Sequence, residues 1–358
     1  MYFDDLMVFA HESMMVKAAQ EVLDLFARWK IPVQMEKFAE DNPEGIKGCS
    51  KLVILGLLYD LAILTIAIPR PRVLEIVEEM RAFLGRTNSR KLKEWESITG
   101  IINWTTVAVP QLRMYLTGTW KLIRAIKWKN KRKKERGDPK VKMLEDIKHD
   151  WDEIAHHLKE WNGKQKILRD EWKVCPENGY SIEDNWIAPA SDASGNWGWG
   201  AVCEYGFAYG EWEKDEKELK IHIKEGLGLF ALIAIFGEEL CKERYKLTLR
   251  CDNQSVTSAL AKGRAKDRDL AIVMRLIVGA MIRAGTMLKF WKTGARREVT
   301  VEYIRSKENK LADALSRGAT NEFTAITNKI PSFQAIRKQL CREDEMRWES
   351  VVGKITGN

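Results

Sequence analysis

Asp192, Glu225, Asp252 and Asp313 each border an apolar segment, where a charge needs a reason to be present. Asp192 ends a short apolar run, 186–190. It is followed by Ser194-Gly195-Asn196, a three-residue connection with Gly that predicts a hairpin turn into a second run, 197–203. Glu225 opens the apolar helical stretch 227–236 and is the only acid between Glu218 and Glu238. Asp252 closes the strand-like run 245–251 and precedes Asn253. Asp313 lies on a short predicted helix, 308–317, after the predicted strand 299–305. Alone, each acid is as readily a polar residue at a strand end or on a helix face. Together, acids at the ends of two strands and on two helices over that sheet can converge on one point. Four carboxylates stay ionised there only if divalent cations neutralise them. An all-oxygen ligand set favours hard cations such as Mg²⁺. Two such ions about 4 Å apart activate water and neutralise the leaving oxygen of an in-line displacement.

The elements that must position these acids carry further motifs. Ser191-Asp192-Ala193-Ser194 is backed by Gly198-Trp199-Gly200-Ala201-Val202, Glu225 stands at a helix start, and Cys251-Asp252-Asn253 ends a strand. The last stretch runs from Tyr303 through Glu308-Asn309-Lys310-Leu311-Ala312-Asp313-Ala314-Leu315-Ser316-Arg317. In order and in strand or helix context these residues resemble a ribonuclease H domain of the retroelement type, spanning 185–318. The resemblance implies an α/β (α+β) fold with a mixed five-stranded sheet and flanking helices. It implies that Asp192, Glu225 and Asp252 hold one Mg²⁺ and that Asp192 with Asp313 holds a second, Mn²⁺ being able to substitute. All four acids would then be catalytic, Asn253 would touch the RNA strand and Ser194 would line the groove. The partner is an RNA–DNA hybrid, whose RNA is nicked to leave a 3′ hydroxyl. Many relatives carry a His in the loop before the last helix. This chain has Thr293-Gly294-Ala295-Arg296-Arg297-Glu298 there, a departure that bears on product release. Two other readings stay open. One is a catalytically silent nucleic-acid-binding remnant of a retrotransposon. The other is a transposase or integrase-like core joining DNA strands, which Asp313 argues against because three carboxylates usually suffice there.

A length of 358 residues with 45% hydrophobic content predicts two or three globular domains, each able to bury a core. Lys and Arg number 59 against 51 Asp and Glu, a net charge of +8, so the placement of the basic residues matters more than their sum. The six cysteines show no Cys-x-x-Cys pair, which points to isolated thiols in a reducing compartment. No apolar run reaches the length of a membrane span, and no basic-then-apolar leader opens the chain. The expectation is an intracellular protein of the cytoplasm or nucleus. Several of the 14 Trp sit beside Lys, as in Trp120-Lys121, Lys127-Trp128-Lys129 and Trp172-Lys173, a mixture suited to stacking on bases and holding phosphates.

The first residues, Tyr2-Phe3-Asp4-Asp5 followed by apolar side chains, predict a hairpin with two acids at its tip. A helix over 11–29 and a strand pair at 51–58 and 62–68 follow. The latter carries Leu55-Gly56-Leu57-Leu58-Tyr59-Asp60. In this order the segments resemble the metal-binding hairpin, lower palm and primer-gripping hairpin of reverse transcriptases, with Asp4 and Asp5 as vestigial polymerase acids. Two predicted helices, 72–84 and 91–107, resemble its thumb in position and in Leu92-Lys93-Glu94-Trp95-Glu96-Ser97-Ile98. The order of thumb and ribonuclease H resembles DIRS-like retrotransposons, and gypsy-like elements share much of it. Residues 1–68 thus read as a partial palm, 69–118 as thumb-like helices, 119–184 as a basic helical connection, 185–318 as the ribonuclease H-like domain and 319–358 as a tail of unknown role. In the connection, Lys129, Lys131, Arg132, Lys133 and Lys134 are candidate phosphate contacts. Nucleotide addition is not expected of this chain, because a further palm carboxylate and the fingers would precede its first residue.

Overall fold

Alternation of side chains along two strands decides how the metal-candidate region is layered. The computed structural model describes residues 12–29, 51–60, 65–86, 89–133, 137–160, 165–166, 180–181, 186–242, 248–284, 300–330, 333 and 335–357. Asp4, Asp5, Lys134 and the loop 293–298 lie outside the described residues.

The N-terminal part holds helix α1 (Met15–Arg28) and strands β1 (Lys51–Ile54), β2 (Leu57–Asp60) and β3 (Thr65–Ala67), with α2 (Arg70–Arg86) after them. The apolar pattern predicts one strand through 51–58. The chain instead turns at Leu55-Gly56, where both residues have positive φ (49° and 78°), and β1 pairs back on β2. Two successive left-handed residues make the tight turn whose twist suits a hairpin. Gly56 meets that need at no steric cost, while Leu55 adopts it against its side chain. Next come β4 (Ser89–Lys91), α3 (Leu92–Thr105), α4 (Thr117–Lys133), β5 (Lys140–Lys142) and α5 (Glu145–Glu160). Trp95 of α3, Trp151 of α5 and Phe83 of α2 meet with ring centroids 5.2 to 5.5 Å apart, and this aromatic knot is the centre of the helical part.

Short strands β6 (Gln165–Lys166), β7 (Tyr180–Ser181) and β8 (Trp186–Ile187) lead into the main sheet. It contains β9 (Ala190–Ala193), β10 (Gly198–Cys203), β11 (Gly206–Glu211), β12 (Thr248–Cys251) and β13 (Thr300–Tyr303), in the spatial order β11-β10-β9-β12-β13. The first three strands form an antiparallel meander, while β12 runs parallel to both β9 and β13. This is the mixed five-stranded sheet with flanking helices that the resemblance implies.

Helices cover both faces: α6 (Lys214–Lys217), α7 (Ile221–Lys242), α8 (Gln254–Lys262), α9 (Arg268–Arg283), α10 (Lys310–Ser316), α11 (Thr320–Thr327) and α12 (Arg342–Thr356). Trp199, Ala201 and Cys203 join the core built with α7 and α9. Val202, one residue out of phase, joins Leu311, Ala312 and Leu315 of α10 in a second core. Gly200 lies on the α10 side, so close that an added Cβ would stand 2.5 Å from Leu315 Cβ and 2.6 Å from the Ala312 carbonyl oxygen. Beyond Gly318 the chain remains packed. Trp348 of α12 lies among Trp199, Trp212 and Phe230, and its indole N–H donates to the Glu216 carboxylate. Among the described residues no helix is long and apolar enough to cross a membrane.

Candidate metal centre

Three carboxylates arrive at one place from three elements. Asp192 sits on β9, opposite Gly200 in the antiparallel register, and is 3% exposed. Glu225 lies in the second turn of α7 and is equally buried. Asp252 follows β12, parallel to β9 and beside it, and is half-buried. One oxygen from each lies within 4.8 Å of the other two. Among the described residues no other group of three potential ligands comes together in this way.

Such a cluster is electrostatically unfavourable by itself. Burial, then the charges of Asp192 and Asp252, push Glu225 far above the usual carboxylate range. Burial and the Asp252 charge push Asp192 up as well. Glu225 Oε2 and Asp252 Oδ1 are buried without a hydrogen-bond partner. Buried carboxylate oxygens lacking donors, in an all-oxygen set, match what a hard divalent cation requires.

Donors do reach the other oxygens. Ser316 Oγ, at the end of α10, donates to Asp192 Oδ2 at 2.5 Å, and Ser306 Oγ, after β13, donates to Asp252 Oδ2 at 2.6 Å. Asn309 Nδ2 donates to the Ser191 carbonyl at 2.9 Å. Asn309, Asp313 and Ser316 are spaced i, i+4, i+7, so one face of the α10 segment carries all three. Sequence reasoning missed Ser316, Ser306 and Asn309, although the helical spacing of Asn309 and Ser316 around Asp313 is a signal that could have found two of them.

Asp313 is not among the three converging acids. Its Oδ1 accepts from Arg317 Nε at 2.7 Å, while its charge still adds to the upward push on Asp192. Ser194 spends its hydroxyl inside the β9–β10 turn, accepting from the Trp197 and Gly198 amides and donating to the Gly198 carbonyl. The same turn is anchored from below. Lys224 Nζ, buried beside Trp212, donates to the carbonyls of Gly195 and Lys217, and Trp212 Nε1 donates to that of Ser194. Asn253 caps α8, its Oδ1 accepting from the Ser255 and Val256 amides.

On α4, Lys129, Lys131 and Arg132 are exposed, and the Arg132 guanidinium lies 4.6 Å from the ring centroid of Trp128, itself 61% exposed. Lys133 ends the helix. Trp120, expected as a second stacking residue, packs instead against the helical core, because i and i+8 on a helix are 80° apart and only one can lie central to a given face. A cavity of about 830 Å³ opens elsewhere, between α5, α9 and α12. Three of its arginines are paired: Arg275 with Asp150, Arg283 with Asp344, and Arg347 with Glu343.

No family model and no curated protein matches the chain. Solved structures similar to it include two of foamy viral protease–reverse transcriptase. One, described as dRH in complex with double-stranded DNA, has 12% identity and a TM-score of 0.25, covering 72% of this chain and 38% of that one. The other, in complex with RNA/DNA hybrid, has 14% identity and a TM-score of 0.27, covering 81% and 39%. The chain spans about two fifths of the length of these proteins. Likeness at this level fixes neither fold nor function.

Proposed function

We propose that this chain is a divalent-metal-dependent nuclease of the ribonuclease H type, hydrolysing the RNA strand of an RNA–DNA hybrid. The convergence of Asp192, Glu225 and Asp252 beside adjacent parallel strands carries the reading. These three residues would hold one Mg²⁺, and Asp192 with Asp313 a second, Mn²⁺ substituting. When bound, the ions supply an activated water and neutralise charge on the leaving oxygen.

The protein's own groups have separate tasks. Asp192, central to the cluster, is held in place by α10. Asn253 already spends Oδ1 on capping α8, which leaves its Nδ2 for the RNA strand. Ser194 shapes the turn beside Asp192 rather than offering a free hydroxyl. The exposed Lys129, Lys131 and Arg132 with Trp128 give α4 a basic, aromatic face for tracking a phosphate backbone.

The test is incubation with end-labelled RNA–DNA hybrid and Mg²⁺, with single-stranded RNA and DNA duplex as controls. Cleavage confined to hybrid RNA and ending in 3′ hydroxyls is expected. Tight hybrid binding without cleavage in either Mg²⁺ or Mn²⁺ would leave a silent binding protein, and joining of DNA strands would point to the transposase class.

A further inference from the structure

Each of the carboxylates Asp192 and Asp252 has two oxygens, and one oxygen of each is taken by a serine hydroxyl. The two serines differ in one physical respect. Ser316 is fully buried, whereas Ser306 is exposed. Water can replace an exposed donor at little loss, but no water reaches a fully enclosed site, so deleting a buried donor leaves its partner bare.

The buried serine also sits on a helix that cannot drift. The Asn309 side chain bonds the backbone of β9 one residue before Asp192, and Ser316, seven positions later, bonds Asp192 itself. Between them the backbone of α10 rests on Gly200, where Ser316 N would stand 2.8 Å from an added Cβ. Ser316 Oγ also lies 3.0 Å from the Asp313 carbonyl, a second acceptor for the same single proton, and the shorter contact, to the carboxylate, is the stronger claim on it. The Ser316 Oγ atom is thereby held beside Asp192 by helix, strand and glycine contact. It occupies Asp192 Oδ2, and one oxygen of the same carboxylate lies within 4.8 Å of an oxygen of Glu225 and of Asp252.

We propose that Ser316 is a positioning residue: by holding Asp192 Oδ2 it orients the carboxylate shared by the cluster, and so sets the affinity of the site for a divalent cation. The inference rests on the reading of the three acids as a metal centre. Groups that orient metal ligands typically change affinity by about 10- to 100-fold when removed. Ser316→Ala therefore weakens cation binding by about that factor, whereas Ser306→Ala weakens it by less than about 3-fold because solvent takes over its bond. Ser316→Cys, similar in bulk with a poorer donor, falls between Ser316→Ala and wild type.

The experiment is a Mn²⁺ titration of the full chain, free of nucleic acid, followed by electron paramagnetic resonance of unbound Mn²⁺, for wild type, Ser316→Ala, Ser316→Cys, Ser306→Ala and Asp192→Asn. Circular dichroism of each variant in chelator reports whether the fold survives. A folded Ser316→Ala with strongly weakened Mn²⁺ binding, and Ser306→Ala near wild type, supports the proposal. Wild-type affinity in Ser316→Ala, while Asp192→Asn loses binding, overturns it and leaves the metal centre intact. No Mn²⁺ bound by wild type overturns the metal centre itself. If Ser316→Ala does not fold, Ser316→Cys decides, and a folded Cys variant with wild-type affinity overturns the proposal.

Discussion

Replacing Gly200 by alanine adds a single methyl at the place where strand β10 and helix α10 touch. That carbon would lie 2.5 Å from Leu315 Cβ, 2.6 Å from the Ala312 carbonyl oxygen and 2.8 Å from the Ser316 amide nitrogen. None of these is the mobile end of a long side chain, so no rotamer change relieves the overlap. Ordinary contact begins near 3.4 Å, so the helix must back away by roughly 1 Å. Ser316 moves with it, and its 2.5 Å bond to Asp192 stretches to the edge of hydrogen-bond range. Overpacking of this kind costs about 1 to 3 kcal/mol, and a lost buried hydrogen bond to a charged group about 1.5 to 3. The expected destabilisation is about 2.5 to 6 kcal/mol, a large part of a typical stability of roughly 5 to 15 kcal/mol. Urea unfolding followed by circular dichroism measures it, and Mn²⁺ titration of the same variant should show weakened binding. Stability within about 0.5 kcal/mol of wild type, with unaltered Mn²⁺ affinity, would refute the close seating of α10 on β10.

Asp192→Asn should abolish hybrid cleavage while leaving hybrid affinity within a few-fold of wild type; comparable cleavage rates in gel assays would remove Asp192 from the chemistry. Replacing Lys129, Lys131, Arg132, Lys133 and Lys134 by Gln should weaken hybrid binding and flatten the plot of log affinity against log salt by roughly 0.7 to 0.9 for each phosphate no longer neutralised, and an unchanged slope makes α4 a merely solvated helix. His157 is buried, and burial, then the neighbouring His156, Arg283 and Arg347, lowers its pKa to about 3. Its folded pKa lies below the unfolded value of 6.5, so its neutral form stabilises the protein fully above 6.5, and that contribution is lost as pH falls from 6.5 towards 3. By pH 5 the loss is about 2 kcal/mol, so urea stability of wild type relative to His157→Gln should fall by that amount between pH 7.5 and pH 5, whereas parallel profiles would show that His157 titrates normally.

Why some of this could be read from residues and some could not is a matter of range. Asp192, Glu225 and Asp252 were legible because each stands at a change of period, where an apolar strand or helix begins or ends, and such boundaries are local. The mixed five-stranded sheet was implied by the family resemblance those motifs carry, whereas β11 was not marked by any residue pattern singled out in the sequence. Leu55 as the first residue of a left-handed turn was not legible, since leucine disfavours that conformation and only the pairing of β1 with β2 imposes it. The stretch between Asn253 and the last strand offers no chemical motif of its own, and it holds α8 and α9, whose Arg275 and Arg283 pair with Asp150 and Asp344 from distant helices. Trp120 and Trp128 look alike beside their lysines, and only packing separates the core ring from the exposed one. Asp313 stood out by its motif, yet its pairing with Arg317 and its place outside the three-acid cluster depend on how α10 is pitched against β9.

The contact between Trp348 and Glu216 joins residues 132 positions apart. During synthesis the apolar surface of Trp199, Trp212 and Phe230 therefore exists well before the helix that covers it. At roughly 5 to 20 residues per second, that surface waits on the order of 7 to 26 s for α12. A nascent chain in this state presents three large aromatic side chains without their lid, which favours capture by a holding chaperone and makes self-association concentration-dependent. Ending synthesis ahead of Trp348 prolongs the wait indefinitely, so shortened chains should gather in inclusion bodies even when every carboxylate of the cluster is present.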